Sequence, residues 1–87
     1  MEITPSTRKD KRFLATFKNG VKIHFGLKGG STYIDHGDKN KRDAYIKRHQ
    51  VNEDWTKINP ASLSRYILWH DKDINKNIKY YKNKFNI

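Results

Sequence analysis

The stretch RFLATFKNGVKIHFG, residues 12–26, decides the fold of the N-terminal half of the chain. Apolar side chains recur at every second position from Phe13 to Phe17, and again from Val21 to Phe25, on either side of Asn19-Gly20. A period of two is typical of strands that bury one face, and Asn-Gly is a strong turn signal. We therefore predict an antiparallel β-hairpin here.

The register of this hairpin follows from which side chains share a face. A two-residue loop at Asn19-Gly20 would place Phe17 opposite Lys22 and would scatter apolar groups over both faces. A three-residue loop, Lys18 to Gly20 with Gly20 left-handed, instead pairs Phe17 with Val21. We predict the three-residue loop, because a hairpin in a small domain needs one buried face. The two further pairs it predicts are Ala15 with Ile23 and Phe13 with Phe25.

The residues after the hairpin complete the predicted sheet and begin the helices. Gly26, Gly29 and Gly30 end the second strand, and residues 31–34 are long enough for a short third strand. Asp38 is placed to cap a helix that runs to about Gln50.

Two further helices are predicted in the C-terminal half. Asn59-Pro60 is a cap and first-turn pair that opens a helix over residues 61–70. Asp73 caps a last helix with the apolar stripe Ile74, Ile78, Tyr81 and Phe85. The predicted class is α+β, an N-terminal antiparallel hairpin or three-stranded meander packed by two to three short helices.

The first eleven residues differ in composition from the rest. They contain Pro5, the basic residues Arg8, Lys9 and Lys11, and Ile3 as the sole apolar residue after Met1. We predict that residues 1–11 form a flexible basic arm and that residues 12–87 form a single small α+β domain.

The charge balance of the chain is its strongest functional signal. Nineteen Lys and Arg residues stand against nine Asp and Glu among 87 residues, which gives a formal charge of +10. Such a surplus opposes compaction and predicts a polyanionic partner. We expect nucleic acid, DNA in preference to RNA, contacted at its phosphates with little sequence preference.

Signals of other chemistry are weak in this sequence. The chain has no Cys and no apolar N-terminal run, so we expect neither disulfides, a secretory signal nor a membrane span. Its four His residues lack the short paired spacings of zinc sites. Asp35, His36 and Asp38 resemble a nuclease turn loosely, but Asp38 is already explained as a helix cap. We expect no enzyme activity, no metal and no cofactor.

Aromatic residues interleave with basic ones, an arrangement that would suit stacking on single-stranded bases if the rings were exposed. We expect most of these rings to lie in the core, because the chain has few other large apolar groups. Tyr80 is the exception, since it falls off the apolar stripe of the last helix and beside Lys76 and Lys84.

Several segments together resemble a family of small basic proteins of nucleocytoplasmic large DNA viruses that infect algae and protists. The resemblance covers residues 7–69 and implies a virion or virus-factory protein without an assigned activity. The segments that carry it are Ile23–Gly26, Tyr33–His36, Arg42–His49, Asn52–Trp55 and Leu63–Trp69.

The charge and composition predict a non-catalytic protein that binds nucleic acid and is not secreted, and the resemblance implies a viral protein located in the virion or the host cytoplasm. The alternative is a minor structural protein that cements a capsid or core by binding acidic coat proteins. The oligomeric state stays open. The predicted phosphate-contacting residues are Arg8, Lys9, Lys11, Arg12, Lys39, Lys41, Arg42, Lys47, Arg48, Lys76, Lys79, Lys82 and Lys84.

Overall fold

Three antiparallel strands in the order β1-β2-β3 form the first layer of the protein. The computed structural model describes residues 1–87. The strands are β1 (Glu2–Pro5), β2 (Lys11–Thr16) and β3 (Lys22–Leu27).

Helices follow the sheet and pack against it, which confirms the predicted α+β class. None of them has the length and apolar character needed to cross a lipid bilayer. They are α1 (Tyr33–His36), α2 (Lys39–His49), α3 (Pro60–Leu63), which continues into a π-helical turn (Ser64–Leu68), and α4 (Ile74–Lys84).

The predicted hairpin register is confirmed. Phe13 lies opposite Phe25 and Ala15 opposite Ile23. The N–H of Phe17 donates to the carbonyl oxygen of Val21 at 2.9 Å, and the three-residue loop between them ends at Gly20 with φ of +87°.

The prediction of a flexible arm over residues 1–11 is wrong for its first residues. Glu2–Pro5 forms β1, and Ile3 lies opposite Ala15 in β2. Ile3 also packs against the core. The free backbone edge of β2 accepts this strand, although one apolar side chain gives little sign of it in the sequence.

The prediction of a third strand at residues 31–34 is also wrong, because Tyr33–His36 is helical. Thr32 and Asp35 form a capping pair in which the Thr32 backbone N–H donates to Asp35 Oδ2 at 2.8 Å. Such a local cap favours a helical turn over an extended segment. The sheet therefore has three strands, one of the two predicted alternatives, but the third strand comes from the N-terminus.

The three predicted helix caps are confirmed. Asp38 Oδ1 accepts from the N–H groups of Asn40 and Lys41, and Asp73 caps α4 in the same way. Asn59 Oδ1 accepts from the Ser62 N–H at 2.7 Å, with Pro60 as the first residue of α3.

The core lies between the sheet and the C-terminal helices. Phe25 and Ala15 of the sheet meet the α3 and π-helical segment, and Tyr81 of α4 closes the far side. Tyr81 shares a buried hydrogen bond of 2.8 Å with the Ser62 hydroxyl. The fully buried members of this core are Ala15, Phe25, Leu63, Ile67, Leu68 and Tyr81.

Candidate nucleic-acid interface

Most basic side chains of this protein have no acidic partner. Of the nineteen Lys and Arg residues, only Arg8, Arg12 and Arg42 have a carboxylate oxygen within 4.0 Å. The contact between Arg8 and Asp10, at 3.7 Å, joins two exposed side chains and therefore contributes little to the stability of the fold. Most of the positive charge is therefore available to a partner outside the chain.

Two of the predicted phosphate contacts, Arg12 and Arg42, are engaged within the fold. Arg12 makes a bidentate pair with Asp35, with both N–O distances at 2.7 Å. The guanidinium carbon of Arg42 lies 5.0 Å from the centre of the Tyr33 ring. Because these guanidinium groups connect elements of the fold, they are less available to an external partner than the exposed lysines are.

The remaining predicted residues are spread over three segments. Lys9 is exposed in the loop between β1 and β2, and Lys11 is half-buried at the start of β2. Lys82 is half-buried, whereas the other lysines of α4 are exposed. The exposed basic residues of the two long helices are Lys39, Lys41, Lys47, Arg48, Lys76, Lys79 and Lys84.

The segment from Tyr66 to His70 joins the two basic helices. On one side, the Trp69 ring stacks on Tyr45 of α2 with centroids 4.3 Å apart and planes 7° apart. On the other side, the His70 ring stacks on Tyr80 of α4 at 4.0 Å. This segment therefore contacts both α2 and α4 through aromatic rings.

A group of rings and cations surrounds Arg65 of the π-helical turn, and we call it the Arg65 cluster. The Arg65 guanidinium carbon lies 5.3 Å from the centre of the Trp55 ring and 5.0 Å from that of Tyr66. Lys84 Nζ also lies 5.0 Å from the Tyr66 ring centre. The members of the cluster are Trp55, Arg65, Tyr66, His70, Tyr80 and Lys84.

The Arg65 cluster is rich in positive charge. Burial lowers the pKa of Arg65, and the charge of Arg42 lowers it further, against the opposing effect of nearby tyrosines. The pKa of His70 is also lowered, first by burial and then by the charge of Arg65. Burial is the main cause of both shifts, the neighbouring cations Arg42 and Arg65 add to it, and the Asp71 carboxylate opposes the shift of the His70 pKa.

Arg65 has few hydrogen-bond partners and no ion-pair partner. Its Nη1 donates to the carbonyl oxygen of Trp69 at 3.4 Å, and its buried Nε has no hydrogen-bond partner. No carboxylate lies within 4.0 Å of it. Arg65 is not among the contact residues predicted from the sequence, because its surroundings depend on the fold. The one local signal was its position next to Tyr66.

A cavity of about 540 Å³ opens between the end of β3, the end of α2 and the start of α3. Lys11 and Arg48 line it together with an ordered acid–base pair, in which His49 Nδ1 lies 2.6 Å from Glu53 Oε2. The Trp55 indole N–H donates to the other Glu53 oxygen at 2.9 Å. Glu53 thus fixes both rings and neutralises part of the charge in this cavity.

The residues of the loosely nuclease-like turn have roles in the fold. Asp35 binds Arg12 and Thr32, Asp38 caps α2, and His36 Nδ1 accepts from the Asp38 N–H at 2.9 Å. The pKa of Asp35 is held well below its usual range, mainly by the hydrogen bonds from Arg12. No three His, Asp or Glu side chains converge as a metal site would require.

Comparison with known proteins gives a family and no function. No curated protein matches this chain, and no solved structure matches it. A family model described as a family of unknown function (DUF5754) matches residues 1–49. Those residues comprise the whole sheet, α1 and α2. Because the match spans more than half of the 87 residues, the chain belongs to the DUF5754 family.

Proposed function

We propose that this protein binds nucleic acid without catalysis, through contacts between its exposed basic side chains and phosphates. The observation that carries the proposal is the shortage of internal partners: only three of nineteen Lys and Arg residues have a carboxylate within 4.0 Å. Many unpaired cations on one small surface attract anions, and a polyanion is the partner that satisfies many of them at once.

The exposed basic residues of α2 are the contacts that we place at the centre of the interface. Lys39 and Lys41 lie in its first turn, and Lys47 and Arg48 lie in its last turn. All four side chains are exposed and none has an acidic partner. The exposed lysines of α4 and Lys9 of the β1–β2 loop are further cations that a polyanion could contact.

Salt dependence tests this proposal directly. Each phosphate neutralised on duplex DNA steepens the fall of log affinity with log salt by about 0.9. The affinity of the purified protein for a short labelled duplex is measured at several salt concentrations. We expect a steep linear fall, and no binding at low salt would refute the proposal.

A charge-matched pair of variants then locates the interface. Replacing Lys39, Lys41, Lys47 and Arg48 by Gln is expected to weaken binding and to flatten the salt slope by about 0.9 for each phosphate that the variant no longer neutralises. The control removes the same charge from four other exposed lysines. Equal effects of the two variants would exclude α2 as the contact surface. The control positions are Lys18, Lys22, Lys28 and Lys57.

DNA as the preferred partner and the virion or virus factory as the location stay predictions, based on the charge and on the family resemblance described above. Co-purification of the protein with particles from infected cells would test the location. A preference for RNA of the same length and sequence would contradict the prediction that DNA is the preferred partner.

A second candidate function, a minor structural protein, is favoured by one apolar cavity. The cavity has a volume of about 430 Å³ and lies beside the hairpin loop, with Lys18 in its lining. Val21, Ile58 and Ile87 in its wall are 47%, 38% and 39% exposed. An acidic coat-protein segment with apolar anchors matches this lining and the net charge of +10. Val21→Asp should abolish binding of such a peptide while leaving DNA affinity unchanged.

A further inference from the structure

We infer that the Arg65 cluster is a binding site for single-stranded nucleic acid, in which phosphates of the strand meet Arg65 and Lys84 and a neighbouring base stacks on Tyr80. This inference rests on the proposed function and deepens it, because it names the form of nucleic acid that the protein prefers. Three features of the cluster carry it: an uncompensated charge, an exposed ring and the presence of both in one place.

The uncompensated charge belongs to Arg65. A half-buried guanidinium loses hydration and normally regains that energy from a carboxylate. Arg12 shows this arrangement in the same molecule, since it is half-buried and holds Asp35 through two bonds of 2.7 Å. Arg65 is half-buried too, yet its only hydrogen bond is a 3.4 Å contact to a carbonyl oxygen, and its other neighbours are the rings of Trp55 and Tyr66. A bound anion would supply the missing partner.

Lys84 extends the anion site at the same ring. Its Nζ and the Arg65 guanidinium each lie 5.0 Å from the centre of Tyr66. Lys84 is exposed and has no carboxylate within 4.0 Å. Both cations lie against one ring and neither has a carboxylate within 4.0 Å, so each can take a phosphate of the same strand.

The exposed ring is Tyr80, which is 38% exposed. It stacks on His70 with centroids 4.0 Å apart and planes 18° apart, and Tyr66 supports it at 5.7 Å. Such support fixes the orientation of the ring before any ligand arrives, so a flat base can stack at a low cost in conformational entropy.

The combination of phosphate contact and stacking selects the form of the nucleic acid. Bases in a duplex are already stacked on each other and present only edges in the grooves, whereas bases of a single strand can lie on an aromatic ring. The basic face of α2 would bind both forms through phosphates. Stacking on Tyr80 in the Arg65 cluster would add affinity for single strands alone.

The experiment compares a labelled oligothymidylate with a duplex of equal length by fluorescence anisotropy at fixed salt. Tyr80→Ala keeps the charge and is expected to lower single-strand affinity about tenfold, which is typical of losing one stacked base. Duplex affinity should change less than twofold. Tyr80→Phe keeps the ring and should keep the affinity. The control Leu27→Ala removes another exposed apolar side chain and should change neither affinity.

A second variant tests the anion site separately. Arg65→Gln should weaken single-strand binding and flatten its salt slope by about 0.7, the value for one phosphate contact on a single strand. Circular dichroism verifies that each variant is folded. If Arg65→Gln leaves both the affinity and the slope unchanged, the anion site is refuted.

The outcomes separate the two proposals. Unchanged single-strand affinity in Tyr80→Ala, or an equal loss on both ligands, would overturn the inference while duplex binding still supports the proposed function. Failure of the wild-type protein to bind either ligand at low salt would overturn both. A single-strand loss in Tyr80→Ala that Tyr80→Phe avoids supports the inference.

Discussion

The side-chain amide of Asn77 donates a hydrogen bond to the carbonyl oxygen of Ile67 at 2.8 Å, across the interface between α4 and the π-helical turn. Carbonyl groups in the last turn of a helical segment lack partners within it. Asn77 also donates to the carbonyl oxygen of Asp71 and accepts from the Asp71 N–H, at 2.8 and 3.0 Å. One fully buried side chain therefore satisfies three backbone groups and fixes the segment that joins the two basic helices.

Replacing Asn77 by Ala should destabilise the protein by about 3 kcal/mol, because buried backbone groups would be left without partners. Urea unfolding followed by circular dichroism measures the loss. Asn83→Ala on the same helix removes an exposed side chain and should change the free energy of unfolding by less than about 0.5 kcal/mol. Similar losses in the two variants would show that the Asn77 bonds contribute nothing specific.

The ion pair of Arg12 and Asp35 predicts how the stability of the protein depends on pH in the acidic range. The fold lowers the pKa of Asp35, so the pair stabilises the protein at pH values above the ordinary carboxyl pKa of about 4. That contribution is lost as pH falls below about 4 towards the lowered pKa. Urea midpoints measured from pH 7 to pH 2 should fall less steeply in Asp35→Asn than in the wild type. Asp43→Asn, at a weak and exposed contact of 3.5 Å, should keep the wild-type profile.

A comparison of Gly26 with Gly29 distinguishes two destabilising effects of an added side chain, backbone strain and crowding. Gly26 has φ of +78°, and a Cβ would lie 3.1 Å from Leu68 Cδ1 and 3.3 Å from Arg12 Cβ. Gly29 has φ of +83°, and a Cβ added there would have no atom within 4 Å. Gly29→Ala should therefore cost about 1 kcal/mol for the backbone alone. Gly26→Ala should cost about 2 to 3 kcal/mol because crowding is added. Equal thermal unfolding midpoints for the two variants would contradict the crowding.

Features specified by neighbouring residues were predictable from the sequence. The loop Lys18 to Gly20 fixes the register because only that loop keeps Phe13 and Phe25 on one face, opposite each other as observed. Asp38 and Asp73 end up as helix caps because a carboxylate reaches the N–H groups two and three residues onward. These features depend on residues that are close together in the chain, so the sequence alone is enough to predict them.

Features that depend on distant partners were not predictable in the same way. β1 forms because β2 offers a free edge, and Ile3 alone carries no periodic signal. Arg12 is taken up by Asp35, which lies 23 residues further along the chain. The Arg65 cluster gathers rings from the loop after α2, from the π-helical turn and from α4. A basic residue in the sequence therefore indicates charge, while only the fold decides whether that charge is free.

Two buried tyrosines predict how the stability of the protein falls at alkaline pH. Burial raises the pKa of Tyr45, as does the charge of Glu53, and burial also raises the pKa of Tyr81. The fold thus favours the neutral phenols, so their contribution is fully present below pH 10, about the unfolded pKa, and is lost as pH rises towards the folded values. Absorbance at 295 nm should show a late titration step that Tyr45→Phe and Tyr81→Phe each reduce. Superimposable titration curves for the native and urea-unfolded protein would contradict the burial of both phenols.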